Sequence, residues 1–151
     1  MNRAVSFTVP GKPKGKGRPR HTRDGHTYTP EATVKYENLI AYCAAKAMGG
    51  RPPIEGPLCL AMIAYVEPPK SWPAKRRAMA LFGLEVPTTK PDGDNILKTV
   101  DAANGLLFTD DKQIAEWFIR KLFGSPARLE VRVKPYFDTA FAPMPDYRDN
   151  L

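Results

Sequence analysis

The stretch Leu58–Val66, which reads Leu-Cys-Leu-Ala-Met-Ile-Ala-Tyr-Val, is apolar at almost every position. A short, continuous apolar run of this kind predicts a strand that is buried on both faces. The residues that follow it, from Glu67 to Pro73, are rich in proline and end the strand. The fold class then depends on the elements that flank this run.

Further strands and helices are predicted on both sides of the apolar run. The whole order is β-α-β-α-α-β-β, with elements at residues 3–9, 31–48, 58–66, 74–82, 94–104, 114–122 and 129–137. In the first helix, apolar residues including Val34 and Ile40 recur at helical spacing, and Phe108, Trp117 and Phe118 are predicted core residues. This order predicts one small α+β domain with two layers, in which helices pack on a mixed sheet.

The length of 151 residues suits a single domain, which we expect to span residues 1–137 and to be followed by a loosely ordered tail, 138–151. No apolar run approaches the roughly 20 residues that cross a bilayer, and the N-terminus lacks a signal-peptide block, so we expect a cytoplasmic protein. Cys43 and Cys59 lie far from any second metal-type ligand, and they predict buried, reduced thiols.

The charge of the chain is unevenly distributed. The net charge is +7, which favours a polyanionic partner such as DNA. Residues 10–30 form a predicted Gly/Pro-rich loop in which six basic residues and no acid lie between Lys12 and Arg23. Between Glu85 and Glu116, by contrast, there are seven acids against three bases. Because gathering like charges is unfavourable, this acidic segment suggests a cation held between carboxylates.

The spacing within the acidic segment is compatible with a metal site. Asp92 and Asp94 are two residues apart, so in extended chain both side chains point the same way. Asp94, Lys98 and Asp101 fall on one stripe of a predicted helix. These aspartates, together with Asp111, supply the oxygen ligands that magnesium prefers. Lys98, which lies beside them, can orient a water molecule or balance the charge of a phosphate.

An ordinary solvated helix face explains the same spacing. In that interpretation Asp94 is an N-cap, Asp94 and Lys98 are an i,i+4 ion pair, and the adjacent Asp110 and Asp111 form a turn. Spacing alone does not decide between the two interpretations.

Several separated blocks of the chain carry a family resemblance. Lys90-Pro-Asp-Gly-Asp-Asn-Ile-Leu-Lys98, Asp101-Ala-Ala-Asn-Gly105 and Phe108-Thr-Asp-Asp-Lys-Gln-Ile114 together resemble the signature of the RusA family of Holliday junction resolvases. The N-terminal half is similar to phage-type members at Val9-Pro-Gly-Lys-Pro13, Lys16-Gly-Arg-Pro-Arg20 and Lys70-Ser-Trp-Pro-Ala-Lys-Arg-Arg77. The resemblance covers nearly the whole chain, from about Val5 to Phe137.

The resemblance assigns roles to particular acidic residues. It implies that Asp92, Asp94 and Asp111 are the essential, metal-binding carboxylates and that Lys98 is the catalytic lysine. Asp110 is a weaker match than Asp111. Asp101 follows Lys98 by three residues, whereas the family pattern has four, so the role of Asp101 is left open.

The resemblance further implies a homodimeric crossover junction endodeoxyribonuclease that acts in DNA recombination and repair. It would hydrolyse DNA at four-way junctions by paired nicks, with magnesium or substituting manganese and no organic cofactor. The alternative is a non-catalytic branched-DNA-binding protein that retains the fold. The expected DNA contacts are the basic residues Lys12, Lys14, Lys16, Arg18, Arg20, Lys70, Lys75 and Arg76. For the last three, a polar helix start beside a packed Trp72 explains the sequence equally well.

Overall fold

The computed structural model describes residues 4–138, so all of the expected tail except Asp138 lies outside the described residues. The strands are β1 (Val5–Pro10), β2 (Arg20–His21), β3 (Thr27–Tyr28), β4 (Leu58–Val66), β5 (Ile114–Phe123) and β6 (Arg128–Pro135). The α-helices are α1 (Glu31–Met48), α2 (Ala74–Leu81) and α3 (Gly93–Leu97), and 3-10 helices span Lys98–Ala103 and Asp111–Gln113. None of the helices in this part of the chain is long and apolar enough to cross a membrane.

The main sheet is mixed and has the strand order β1-β6-β4-β5. The apolar strand β4 lies inside it, antiparallel to β6 and parallel to β5. Leu60 and Met62 on one face of β4 are buried, and Ile63 on the other face is also buried. The predicted α+β domain with helices packed on a mixed sheet is therefore confirmed.

The crossover between β4 and β5 contains the acidic segment. Parallel strands require a long connection, because the chain must return to the end at which the first strand began. Here residues 67–113 make that connection and contain α2, α3 and both 3-10 helices. Since Leu58 pairs with Ile114, the connection ends beside the start of β4, and Asp110 and Asp111 are held there.

Helix α1 packs its buried side chains against β1 and against the 3-10 helix Lys98–Ala103. The buried face differs from the predicted stripe: Thr33 and Tyr36 point inward, whereas Val34 is 40% exposed. Trp117 is also not a core residue, since it is 41% exposed on the edge strand β5. Phe108 is completely buried, as predicted.

Two other expectations need correction. The predicted helix over 94–104 begins at Gly93 and changes from α to 3-10 geometry at Lys98. The predicted loop 10–30 contains a small antiparallel hairpin, in which Arg20 pairs with Tyr28. Its two-residue strands cannot be predicted from the sequence, because they are too short to show an alternation of polar and apolar residues.

Candidate active site

The start of the acidic segment resembles a solvated helix end. Asp92 has extended backbone and occupies the N-cap position of α3, without a side-chain capping bond. Asp94 lies in the first turn, so the alternative in which Asp94 is the N-cap is wrong. The Lys98 Nζ lies 3.3 Å from the Asp94 Oδ2, and both side chains are more than half exposed. The expected i,i+4 pair is therefore present and open to solvent.

The change to a 3-10 helix accounts for the spacing between Lys98 and Asp101. A 3-10 helix has 3.0 residues per turn, so side chains at i and i+3 lie on the same side. The three-residue interval from Lys98 to Asp101 is therefore one complete turn. Four residues of α-helix would advance the chain by slightly more than one turn. The shorter interval thus keeps the lysine and the aspartate on one side of the segment.

The turn at Asp110 and Asp111 is held by the side-chain amide of Gln113. The Gln113 Oε1 accepts hydrogen bonds from the backbone N–H groups of Thr109 (2.9 Å) and Asp110 (3.1 Å). Its Nε2 donates to the carbonyls of Ile54 and Gly56, both at 3.0 Å. Gln113 therefore joins the acidic turn to the segment that leads into β4.

The carboxyl of Asp111 interacts with those of Asp110 and Asp101, where this turn approaches the 3-10 helix Lys98–Ala103. These three aspartates form the acidic cluster of the site. Burial, together with these two neighbours, raises the pKa of Asp111. The pKa of Asp110 is lowered instead, because the Lys112 backbone N–H donates to its carboxylate at 2.9 Å. The two adjacent aspartates are thus in different electrostatic environments.

Lys16 reaches this cluster from the basic loop. Its Nζ donates to the Asp101 Oδ2 at 2.7 Å and lies 3.8 Å from the Glu37 Oε1. The hydrogen bond to Asp101 raises the pKa of Lys16, which keeps the ammonium charged. In the structure the Lys16 ammonium thus has carboxylate partners within the protein, and the expected contact of Lys16 with DNA phosphates stays a prediction.

Backbone and glycine contacts seat the basic loop against the acidic segment. The Lys16 backbone N–H donates to the Asn95 carbonyl at 2.8 Å. A Cβ atom added to Gly15 would lie 2.8 Å from the Asn95 Cβ, and one added to Gly17 would lie 2.6 Å from the Thr33 Oγ1. Gly15 and Gly17 are therefore explained by the close approach of the loop to α3 and α1.

The arrangement is compatible with a magnesium site that depends on substrate for some of its ligands. Within residues 4–138, no group of three or more Asp, Glu, His or Cys side chains is positioned to hold one metal ion. Magnesium usually takes one or two protein carboxylates, with water and substrate phosphate completing its shell. Asp101 and Asp111, whose carboxyls interact, are one pair of carboxylates of this kind. The set Asp92, Asp94 and Asp111 stays a prediction.

Comparison with known proteins identifies the family. Residues 10–134 match the family model described as Endodeoxyribonuclease RusA. The chain belongs to the RusA family. Over 138 residues it is 36% identical to YqaN, an uncharacterized protein of Bacillus subtilis (strain 168), and the match covers 86% of this chain and 95% of YqaN. The resemblance inferred from the separated blocks is therefore confirmed, and the family is one of endodeoxyribonucleases.

The basic residues of this RusA-family chain differ in their surroundings. Among the expected DNA contacts in the loop, Lys12, Lys14, Arg18 and Arg20 are exposed. In the second patch, the Arg76 guanidinium lies 3.5 Å from the centre of the Trp72 ring and pairs with Glu85 at 3.1 Å. Trp72 in turn packs edge-on against Phe123. Trp72 is thus a packing residue, while Lys70 and Lys75 are exposed.

Two residues near the site were given no role from sequence. Gln113 is part of the RusA signature, but two of its four hydrogen bonds to backbone are to Ile54 and Gly56, which lie more than fifty residues away in the chain. Glu37 lies on α1, one residue after the buried Tyr36. Its spacing of four from the buried Thr33 is the signal that would have placed it on the inner side of the helix.

Proposed function

We propose that the protein is a magnesium-dependent, structure-selective endodeoxyribonuclease that resolves Holliday junctions by paired symmetrical nicks. Its membership of the RusA family supports endonuclease chemistry. The observation that carries the proposal is the contact of the basic loop with the acidic cluster, through the 2.7 Å bond between Lys16 and Asp101. A loop suited to phosphates and carboxylates suited to a metal thus share one site.

The exposed basic residues of the loop would hold the DNA backbone beside the acids. Lys12, Lys14, Arg18 and Arg20 point into solvent and carry no acidic partner in the described ion pairs. Contacts to phosphates position DNA without reading its sequence. This fits an enzyme that selects a branched shape, and Lys70 and Lys75 would extend the same surface.

The carboxylates would hold the metal, with Asp92, Asp94 and Asp111 as the proposed ligands. When bound, magnesium would neutralise the scissile phosphate and lower the pKa of an attacking water. The exposed Lys98 would contribute a positive charge at the phosphate, where negative charge grows in the transition state. Manganese, which accepts the same oxygen ligands, would substitute for magnesium.

A dimer would supply the second site that paired nicking requires. A four-way junction has two strands to be cut in symmetrical positions, and a two-fold homodimer presents two equivalent sites. We therefore expect the protein to sediment as a dimer in solution. A monomer at working concentration, with or without junction DNA, would contradict this part of the proposal.

Cleavage of a synthetic four-way junction tests the proposal. The wild-type protein is incubated with the junction with and without magnesium, beside Asp94→Asn and Asp111→Asn. Glu31→Gln is the matched control, because it also converts a carboxylate to an amide, but at an exposed residue of α1 that pairs with Lys35.

We expect paired nicks that require magnesium in the wild-type and control proteins, and no cutting by the two aspartate variants. Binding should persist or tighten in these variants, because removing a negative charge reduces repulsion of phosphate. Tight junction binding without cleavage by the wild-type protein would favour the alternative, a non-catalytic branched-DNA-binding protein. Normal cutting by Asp94→Asn would contradict the assignment of that carboxylate.

A further inference from the structure

Lys16 is set apart from the exposed basic residues of its loop by its surroundings. Its side chain is 36% exposed and is directed toward Asp101 and Glu37, whereas Lys12 and Lys14 are exposed. An ammonium that contacts DNA phosphates gains nothing from a 2.7 Å bond to a protein carboxylate, because that bond must be broken or shared first. The position of Lys16 is therefore better suited to organising the site than to gripping DNA.

The ammonium of Lys16 pairs with acids from two separate parts of the chain, Asp101 in the 3-10 helix Lys98–Ala103 and Glu37 in α1. The negative charge of Asp111, at the start of the 3-10 helix before β5, also helps to raise the pKa of this lysine. The Glu37 Oε1 is buried and accepts no hydrogen bond from residues 4–138. The Lys16 ammonium, 3.8 Å away, is therefore the main group that offsets the cost of burying this oxygen. Without a positive charge at this point, the carboxylates would repel one another.

The backbone next to the ammonium is fixed as well. The Lys16 N–H is bonded to the Asn95 carbonyl, one residue after Asp94, and Gly15 and Gly17 allow close contact on either side. One residue thus ties the basic loop to α3 through its backbone and to the acidic cluster through its side chain.

We propose that Lys16 is a positioning residue, which orients Asp101 beside Asp111 and couples the seating of the basic loop to the arrangement of the acidic site. This inference rests on the proposed nuclease function. Lys16 acts through Asp101 and the loop backbone, and it does not contact the DNA that the loop holds.

Four variants separate this role from a phosphate contact. Lys16→Met removes the charge but keeps the length of the side chain, and Lys16→Arg restores a charge that reaches Asp101. Lys14→Met is the neighbouring exposed residue expected to contact phosphate. Lys35→Met is the matched control, since Lys35 is also ion-paired, at 2.9 Å to Glu31, but is exposed on α1.

The first readout separates the maximal cleavage rate from junction affinity and its salt dependence. Lys16→Met should lower the maximal rate by about 100-fold, the cost typical of a misplaced catalytic group. It should leave the slope of log affinity against log salt unchanged, whereas loss of a phosphate contact in Lys14→Met lowers that slope by about 0.9. Lys16→Arg should regain most of the rate, and Lys35→Met should match the wild type.

The second readout does not depend on activity. Amide hydrogen exchange across residues 11–20 should accelerate by about tenfold in Lys16→Met. Such an acceleration is the loss of local protection expected when the ion pair that ties the loop to Asp101 is removed. Exchange in this segment should be unchanged in Lys35→Met and Lys14→Met.

The two readouts distinguish failure of this inference from failure of the proposed function. If Lys16→Met lowers the salt slope and keeps the maximal rate, Lys16 is a phosphate contact and the inference is overturned. If the wild-type protein does not cut junctions, the proposed function fails, and hydrogen exchange alone decides whether Lys16 seats the loop. If Lys16→Met does not fold, Asp101→Asn takes its place, because it removes the charge of the partner carboxylate. An unchanged cleavage rate and unchanged hydrogen exchange in Asp101→Asn would overturn the inference.

Discussion

Replacement of Gln113 by leucine tests whether its side-chain amide holds the acidic turn in place. The amide makes four hydrogen bonds to backbone, two to the turn at Thr109 and Asp110 and two to Ile54 and Gly56. Leucine has a similar size but neither donates nor accepts. The substitution therefore leaves two N–H groups and two carbonyls without their partner.

The expected loss of stability follows from the exposure of these bonds. The bonds to Asp110 and Ile54 are partly buried, while those to Thr109 and Gly56 are exposed and water can replace them. At about 1 kcal/mol for each partly buried bond, the free energy of unfolding should fall by about 2 kcal/mol. With a denaturant dependence of about 2 kcal/mol per molar urea, the unfolding midpoint should drop by about 1 M.

Urea unfolding followed by tryptophan fluorescence measures this change. Gln113→Glu is a useful companion, because its carboxylate still accepts from Thr109 and Asp110 but opposes two carbonyls to which it cannot donate. It should lose at least as much stability as the leucine variant at neutral pH. Lys112→Met, next to it on the exposed side, should stay within about 0.5 kcal/mol of the wild type. A leucine variant as stable as Lys112→Met would refute this account of the turn.

Three further predictions concern packing and charge. Gly15→Ala should destabilise the protein by about 1–3 kcal/mol. The new Cβ would collide with the Asn95 Cβ, which no rotamer change can move. An unchanged midpoint of urea unfolding would contradict this close approach. Burial raises the pKa of Cys43 and of Cys59, so both thiols should react with Ellman's reagent at pH 8 more slowly than after unfolding, and equal rates would contradict this. Burial and neighbouring carboxylates raise the pKa of Asp111 in the folded protein. The protonated carboxyl therefore stabilises the fold at pH values below the ordinary aspartate pKa of 3.8, and this stabilisation is lost as the pH rises through the folded pKa. In metal-free buffer Asp111→Asn should therefore gain stability relative to the wild type between acidic and neutral pH, and a constant difference would refute the effect.

Much of the fold was predictable because its elements are specified locally. The bounds of α1 and β4 agree with the predicted ranges 31–48 and 58–66, because each element carries its own periodicity or apolar run and a clear stop signal. Which residues face the core was less predictable. Trp117 is exposed because β5 is an edge strand, and the position of a strand in a sheet depends on its partners.

For the candidate site, too, some features were predictable from the sequence and others were not. By itself, the sequence determined that a basic loop and an acidic segment exist, and its separated motifs identified the family. The tertiary structure decided that Lys16 pairs with Asp101, across 85 positions of chain. It also decided that the carboxyl of Asp101 lies near enough to that of Asp111 to raise its pKa. The physical reason is that charge and periodicity are properties of neighbours along the chain, whereas an ion pair requires two side chains whose separation is set by how the intervening sheet and helices pack.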